Sequence, residues 1–230
     1  MLRVAASVVV LGVSLGIAGA WSGQQSAEPL PFATAVVRFE QNATDGDVEV
    51  VFEITGGDDG LTKLTIVAPN GRTIADFAAP DRATLGLRQF VLESPEPRDV
   101  AALKAAYPEG VYVLRGTTTG GQTLAGRATL SHRLPATTTF VRPQTDAKDV
   151  DARNLEIAWS AVAEATAYIV ELEEEGVDKS LKLRIPAATT RFRVPDGFLQ
   201  PGKEYTLGIG AVLKDGNVSF IETSFETASR

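Results

Sequence analysis

The sequence predicts an all-β protein in which two tandem antiparallel β-sandwiches follow a signal peptide. Three observations support this fold class. Short runs of alternating apolar and polar residues, such as Asp47–Ile54, recur along the chain and are typical of half-buried strands. Turn-forming pairs such as Asn70-Gly71 separate these runs. The chain has 230 residues, which is enough for two domains of ordinary size.

The N-terminus has the three parts of a secretory signal peptide. Arg3 supplies a positive start, an uncharged run follows, and Ala18-Gly19-Ala20 offers the small residues of a cleavage site. We predict that residues 1–20 are removed and that residues 21–31 form a flexible leader. The alternative is an uncleaved anchor, because the uncharged run is near the minimum length that spans a bilayer. After cleavage we expect no membrane span.

Residues 32–134 are predicted to form the first domain. Its strands are predicted at Thr34–Glu40, Asp47–Ile54, Leu64–Ala68, Thr73–Phe77, Leu87–Leu92, Gly110–Thr117 and Gln122–His132. Helical spacing around residues 97–106 predicts a short helix that crosses from one sheet to the other. Seven strands with such a crossover favour an immunoglobulin-like sandwich.

Two segments of the first domain resemble a known kind of module. Residues 66–74 (IVAPNGRTI) and 107–116 (YPEGVYVLRG) are similar to the immunoglobulin-like modules of flagellar hook-capping proteins and of bacterial secretion tails. The resemblance implies an immunoglobulin-like domain of the type found in bacterial exported proteins. The tryptophan usual in those modules is missing from this chain, so no function follows from the resemblance.

Residues 138–230 are predicted to form the second domain, which a series of spaced residues marks. The series is Trp159, Tyr168, Leu199, Pro201, Gly202 and Tyr205. Over residues 138–227 its order and spacing resemble the fibronectin type III family. The resemblance implies that Trp159 fills the space between two sheets and that Tyr205 forms a tyrosine corner with upstream backbone. It also implies binding, spacing or adhesion more often than catalysis.

Residues that could carry out catalysis are few. The chain has one histidine, His132, and no cysteine, so a disulfide, a thiol nucleophile and a cysteine-ligated metal are excluded. We interpret His132 as an exposed residue at the end of a strand, with its neighbour Ser131 pointing to the other face. We therefore predict that the protein is not an enzyme and takes no cofactor.

A pair of acidic residues shares one face of a predicted strand in the second domain. Glu171 and Glu173 lie opposite Lys182 and Arg184 of the next strand. We interpret these residues as cross-strand charge pairs on a solvated face. The alternative is an acidic docking patch.

Two loops of the first domain are rich in Asp and Gly. Residues 45–47 and 56–60 are interpreted as ordinary turns, and neither matches the twelve-residue loop of an EF-hand. If both loops lay at the same end of the sandwich, their carboxylates could bind Ca²⁺. We leave that alternative open and predict no metal site.

Aromatic residues are almost all accounted for by core positions of the predicted strands. Only Trp21, Phe32 and Phe198 fall outside those positions. A carbohydrate-binding surface built from stacked aromatic rings is therefore not predicted.

The charge balance also bears on partners. The net charge is −7 and the sequence contains no basic patch, which disfavours nucleic acid or an anionic membrane as a partner.

We predict a non-enzymatic exported protein, periplasmic or extracellular and bacterial. It would present two modules to another protein of the cell envelope or extracellular space, through loops or strand addition. The alternatives are an accessory domain pair that binds polysaccharide, and a hydrolase with a site between the domains.

Overall fold

The structure is a computed structural model that describes residues 28–79, 81 and 85–229. The predicted signal peptide, residues 1–20, lies outside these residues. In the first half, the elements are β1 (Leu30–Pro31), β2 (Thr34–Asn42), β3 (Asp47–Thr55), β4 (Leu61–Val67), β5 (Thr73–Ala78), β6 (Gln89–Glu93), α1 (Val100–Ala106), β7 (Gly110–Thr118) and β8 (Thr123–Leu130). In the second half, they are β9 (Phe140–Arg142), β10 (Ala147–Val150), β11 (Glu156–Trp159), β12 (Ala167–Glu174), β13 (Ser180–Pro186), β14 (Arg191–Arg193), β15 (Glu204–Val212) and β16 (Val218–Thr227).

The first sandwich packs two sheets around one core, which confirms the predicted fold class. One sheet has the order β1-β8-β7-β4-β5, and the other contains β2, β3 and β6. The helix α1 leads from β6 to β7 and therefore crosses between the sheets, as the sequence predicts. Asp99 caps α1, because its Oδ1 accepts the N–H of Ala102 at 2.7 Å. Among the described residues no helix is long and apolar enough to cross a membrane.

Glycine turns close two of the hairpins in this sandwich. Gly71 stands between β4 and β5 with a φ of 83°, and Gly121 stands between β7 and β8 with the same φ. Glycine adopts this left-handed conformation at little cost because it has no Cβ. Both turns lie where the Asn-Gly and Gly-Gly pairs predict them.

The start of the first sandwich differs from the prediction. The sequence predicts a flexible leader over residues 21–31, of which residues 21–27 lie outside the described part of the chain, but Leu30–Pro31 forms β1 and pairs in parallel with β8. The sequence also predicts Phe32 to lie outside the core, but it is only 8% exposed and belongs to the first core. A Cβ on Gly116 would lie 2.9 Å from Cζ of the Phe32 ring, so glycine on the neighbouring strand provides the space for that ring.

The second sandwich has the strand order of a fibronectin type III domain, as the sequence predicts. A three-stranded sheet of order β14-β11-β9 faces a sheet of order β13-β12-β15-β16, with β10 paired to β16. Trp159 and Tyr168 are buried between the sheets, with ring centroids 5.4 Å apart in an edge-to-face arrangement.

The two sandwiches are joined edge to edge, which the prediction of separate tandem domains did not include. β16 of the second sandwich pairs in parallel with β2 of the first, from Val218 opposite Glu40 to Phe220 opposite Asn42. One continuous sheet therefore runs β13-β12-β15-β16-β2-β3-β6 through both sandwiches. The pairings of β1 with β8, β10 with β16, and β16 with β2 are parallel, so the sheets are not purely antiparallel.

Candidate binding groove at the joint of the two sheets

An apolar floor lies on the outer face of the continuous sheet, beside the pairing of β16 with β2. Val212, Val218 and Phe220 are buried there, and Ile169 packs against them. A Cβ on Gly210 would lie 2.7 Å from the Phe220 ring, so only glycine at this position lets the ring lie directly on β15. The outer face of an isolated sandwich is normally solvated. The joined sheet thus produces a small second core on that face.

Above this floor is a groove of about 530 Å³, which we call the joint groove. It is lined by Val36, Arg38, Glu40, Glu53, Ile169, Lys182, Leu183, Arg184, Lys214, Asp215, Gly216, Val218 and Phe220. Its walls come from both sandwiches, with β2 and β3 on one side and β12 and β13 on the other. Its volume is within the range of small-ligand and anchor-residue pockets.

Two of the cations in the joint groove are paired with carboxylates. Arg38 Nε donates to Glu40 at 2.9 Å, and a terminal nitrogen of Arg38 lies 3.4 Å from Glu53. Lys182 forms an ion pair with Glu171, which stands opposite it in the register of β12 and β13. The predicted cross-strand pairing is therefore present between Glu171 and Lys182, whereas Glu173 stands opposite Ser180 and has no cation across from it.

The other two cations have no ion-pair partner within the described part of the chain. Arg184 stands directly opposite Ile169 rather than opposite a carboxylate, and its diagonal neighbour Glu171 is already paired with Lys182. Lys214 lies in the turn between β15 and β16 and lines the same groove. An apolar floor beside two unpaired cations suits a ligand that combines an apolar group with an anionic one.

A smaller acidic pocket of about 190 Å³ adjoins the joint groove. Its carboxylates are those of Glu40, Asp47, Glu49, Glu171 and Glu222. Burial and the neighbouring Glu40, Glu93 and Asp47 raise the pKa of Glu49 to about 7, against the opposing effect of Arg38. Sequence reasoning singled out Glu171 in a charge pair and Asp47 in an acidic loop but did not bring them together, because only the pairing of β16 with β2 places the two sandwiches side by side.

The two Asp- and Gly-rich loops do not form a common calcium site. Residues 45–47 precede or begin β3 and residues 56–60 follow it, so the loops stand at opposite ends of a nine-residue strand. At about 3.4 Å per residue the two ends are roughly 27 Å apart. Asp45 accepts the N–H of Asp47 at 2.9 Å, as in an ordinary turn. In the ranges that the structure describes, no cluster of three or more His, Asp or Glu could hold a metal ion.

The pairing of β16 with β2, which we call the joint, is stabilised by the buried side-chain amide of Asn217. Asn217 is 1% exposed, and its Oδ1 accepts the N–H of Phe39 at 2.8 Å. Its Nδ2 lies 2.9 Å from the carbonyl of Ser131 and 2.8 Å from the carbonyl of Arg133, donating to both. The sequence predicts Asn217 as a turn residue and gives no sign of these contacts, which cross 84 to 178 positions of the chain.

A buried hydroxyl supports the same joint. Ser219 Oγ donates to the carbonyl of Pro135 at 2.9 Å and accepts from Nε2 of Gln41 at the same distance. The buried side chains of Asn217 and Ser219 in the second sandwich therefore form hydrogen bonds with groups of the first sandwich and of the segment that follows it. Buried polar groups of this kind favour one relative arrangement of the two units, because any other would leave them without partners.

The marker residues of the second domain occupy structural positions. The Tyr205 hydroxyl accepts the N–H of Gln200 at 2.8 Å, which is the geometry expected of a tyrosine corner. The same hydroxyl donates to Glu174 at 3.1 Å, and Lys179 lowers the pKa of Glu174 through a hydrogen bond of 2.8 Å.

The remaining markers belong to the core and to one turn. The Tyr168 hydroxyl accepts the N–H of Val162 at 2.7 Å. Leu199 is buried in the second core. Pro201 and Gly202 form the turn before β15, where Gly202 has a φ of 67°. None of the markers lines the joint groove.

His132 is not the exposed residue that the sequence suggests. It lies after the end of β8 and is half-buried, with its ring centroid 5.2 Å from that of Phe39. Its Nε2 is 2.8 Å from the carbonyl oxygen of Tyr107. Ser131 donates its hydroxyl to Asp215 at 2.8 Å instead of to His132. The pair therefore supports the packing at the joint and does not form a nucleophile with a base.

Comparisons with known proteins find similarity among solved structures. No protein-family model and no curated protein matches the sequence. The chain is similar to a two-domain fibronectin type III segment of chicken tenascin, at 14% identity and a TM-score of 0.33, over 85% of this chain and 99% of that one. It is similar to the fibronectin(III)-like modules of Clostridium thermocellum CbhA, at 10% identity and a TM-score of 0.35, over 86% of this chain and 93% of that one. The FN5 domain of Drosophila Lar matches 41% of this chain over 97% of its own length, at 18% identity and a TM-score of 0.31.

Strand order and core packing define the class of protein. This is an all-β chain of two sandwiches, the second with fibronectin type III topology. Modules of this architecture serve many functions, so the fold alone assigns none.

Proposed function

We propose that this chain is a non-catalytic, exported binding protein that holds another protein in the joint groove. The observation that supports the proposal is the combination of a buried apolar floor with the unpaired cations Arg184 and Lys214. A partner segment with an apolar side chain beside an acidic residue fits both features. The apolar group would cover Ile169 and Phe220, and the acidic group would neutralise the two cations.

Strand addition at the β13 edge of the continuous sheet is less suitable for this role. The edge strand β13 carries Lys182 and Arg184 and ends at Pro186, and charges and proline hinder the pairing of a further strand. The joint groove leaves Arg184 of this strand free to contact an acidic group of the partner. We therefore place the binding site in the groove rather than along the edge.

The first experiment locates the partner. A photo-crosslinking amino acid at Ile169, in the groove, is compared with one at the exposed Val141 of the second sandwich, in cells of the source organism. We expect a discrete crosslinked protein from position 169 that position 141 does not give. The same products from both positions would contradict a site in the groove.

The second experiment measures affinity with that purified partner. The double variant Arg184→Glu and Lys214→Glu is compared with Arg191→Glu and Lys203→Glu, which changes the net charge equally at exposed sites of the second sandwich. We expect at least tenfold weaker binding for the groove variant alone. Equal affinities of the two variants would show that the cations of the groove do not contact the partner.

A second candidate function follows from the acidic pocket. Glu49 has a pKa of about 7 beside other carboxyl groups, and an acid that is protonated near neutrality can act as the proton donor of a glycoside hydrolase. Incubation with a panel of neutral oligosaccharides tests this function. Turnover that Glu49→Gln abolishes would support a hydrolase over a binding protein.

A further inference from the structure

Three cations form a diagonal row across the outer face of the five-stranded sheet. The register places Lys63 opposite Thr117, and Arg115 lies two residues from Thr117 on β7. Arg115 in turn stands opposite Ala125, two residues from Arg127 on β8. Lys63, Arg115 and Arg127, which we call the basic diagonal, therefore lie on three neighbouring strands. Diagonal neighbours in a sheet are about 7–8 Å apart, so the row spans roughly 15 Å.

The basic diagonal is exposed and forms no ion pair within the described residues, although Asp76 lies diagonal to Lys63 on the neighbouring strand β5. All three side chains are exposed, and within the described residues none of them forms an ion pair. The chain has 29 acidic and 22 basic residues, yet the strands β4, β5, β7 and β8 place a single carboxylate, Asp76, on this face. Asp76 accepts a hydrogen bond from Thr65 at 3.2 Å. Three unpaired like charges on one face of an acidic protein are complementary to an anionic ligand.

The surface around the basic diagonal is a shallow trough of about 900 Å³. Thr65, Thr117 and Thr123 contribute hydroxyl groups to its lining, and Val67 and Val113 contribute methyl groups. Lys63 and Arg115 line the same trough, and Arg127 lies beside it, two residues along β8 from the lining residue Ala125. The trough thus offers cations together with hydroxyl groups, of which the Thr65 hydroxyl already donates to Asp76, and the side chains that line it include no aromatic ring.

We propose that the basic diagonal binds a linear anionic polysaccharide, with carboxylates of successive sugars against Lys63, Arg115 and Arg127. The threonine hydroxyls would bond the sugar hydroxyls, which an anionic lipid headgroup does not offer in a row. Single-stranded nucleic acid fits less well because its binding surfaces supply aromatic rings for the bases. Three cations contribute only about 1 kcal/mol each at an anionic membrane, too little for stable attachment. This site lies on a different sheet from the joint groove and does not depend on the function proposed for that groove.

The test is calorimetric titration of the full-length chain with oligogalacturonate of about ten sugars. The control ligand is the same oligomer with its carboxyl groups methyl-esterified, which keeps the sugars and removes the charge. We expect binding of the charged oligomer that weakens as salt is raised, and no binding of the ester. Binding of both oligomers alike, or of neither, would overturn the proposal.

Variants show whether the basic diagonal is the site. Changing its three residues to Gln is compared with Arg142→Gln, Arg191→Gln and Lys203→Gln, which remove the same charge from exposed positions of the second sandwich. We expect at least a tenfold loss of affinity in the first triple variant and less than a twofold change in the second. An equal loss in both would mean that only net charge matters. Tighter binding of oligothymidylate or of phosphatidylglycerol vesicles than of oligogalacturonate would assign the face to another kind of partner and refute the proposal.

Discussion

Asn217 provides the sharpest test of the joined architecture. Truncation to Ala removes the acceptor of the buried Phe39 N–H and the donor for the carbonyls of Ser131 and Arg133. A buried polar group left without a partner costs about 1–3 kcal/mol. The Phe39 N–H carries the full cost, whereas Ser131 is partly exposed and Arg133 is exposed, so their carbonyl groups can regain water. We therefore expect Asn217→Ala to lower the free energy of unfolding by about 2–3 kcal/mol, near the upper end of that range.

Urea denaturation followed by tryptophan fluorescence and by circular dichroism measures this change. Trp159 is the one tryptophan in the described residues and reports on the second sandwich, while circular dichroism reports on all strands. The control is Asn154→Ala, which truncates an exposed asparagine of the same sandwich. We expect the control to stay within about 0.5 kcal/mol of the parent.

A second substitution separates lost contacts from lost volume. Asn217→Asp keeps an acceptor for the Phe39 N–H, but it replaces the amide donor with an oxygen that faces two carbonyl oxygens. We expect it to destabilise the protein at pH 7 at least as much as Asn217→Ala. A loss below about 1 kcal/mol for both variants would refute the argument that this amide fastens the two sandwiches.

Two further predictions concern single side chains. Burial and neighbouring carboxylates raise the pKa of Glu49 from 4.5 to about 7, so the folded state favours the protonated form and loses stability as pH rises from about 4.5 to 7. Glu49→Gln should therefore stabilise the protein by about 1–2 kcal/mol at pH 8, a figure that allows for solvent screening. At pH 4 the same substitution should have little effect. Urea denaturation of both proteins at the two pH values measures the difference. Tyr205→Phe removes the acceptor of the Gln200 N–H and should cost about 1–2 kcal/mol, whereas Tyr107→Phe, whose ring is at the edge of the first core, should cost less in the same assay.

Local patterns of apolar and polar residues predict most of the individual strands, but they do not predict the pairing between the two sandwiches. Alternation places β3 and β12 correctly, because the residues that alternate also face the core. The pairing of β16 with β2 depends on backbone groups and on Asn217 and Ser219, which have no distinctive pattern. Its partners are far apart in sequence, so no local window contains both.

The candidate sites could be predicted only in part for the same reason. Glu171 and Lys182 are recognisable as a pair because their strands are consecutive. The basic diagonal is not visible as a patch in the sequence, because Lys63 and Arg115 are separated by the whole of β5, β6 and α1. The buried position of Phe32 is not predictable from the sequence, because its pocket is created by Gly116 and Gly126, and a glycine in a strand gives no indication of which ring lies against it.

The shape of the joint groove depends on the pairing between the two sandwiches, whereas the shape of the basic diagonal does not. A substitution at the joint should therefore affect binding at the first site and not at the second. The groove has walls from both sandwiches, so loosening their attachment should separate the walls and weaken partner binding. Asn217 contributes no atom to the lining of the groove, yet Asn217→Ala should lower the affinity for the crosslinked partner under conditions where the variant remains folded. The basic diagonal lies within one sheet of one sandwich, so its affinity for oligogalacturonate should not change. Titrations of Asn217→Ala with the partner and with oligogalacturonate test this dependence. Equal losses of affinity for both ligands would mean that the substitution acts by general unfolding. Unchanged affinity for the partner would mean that partner binding does not depend on the pairing of the two sandwiches.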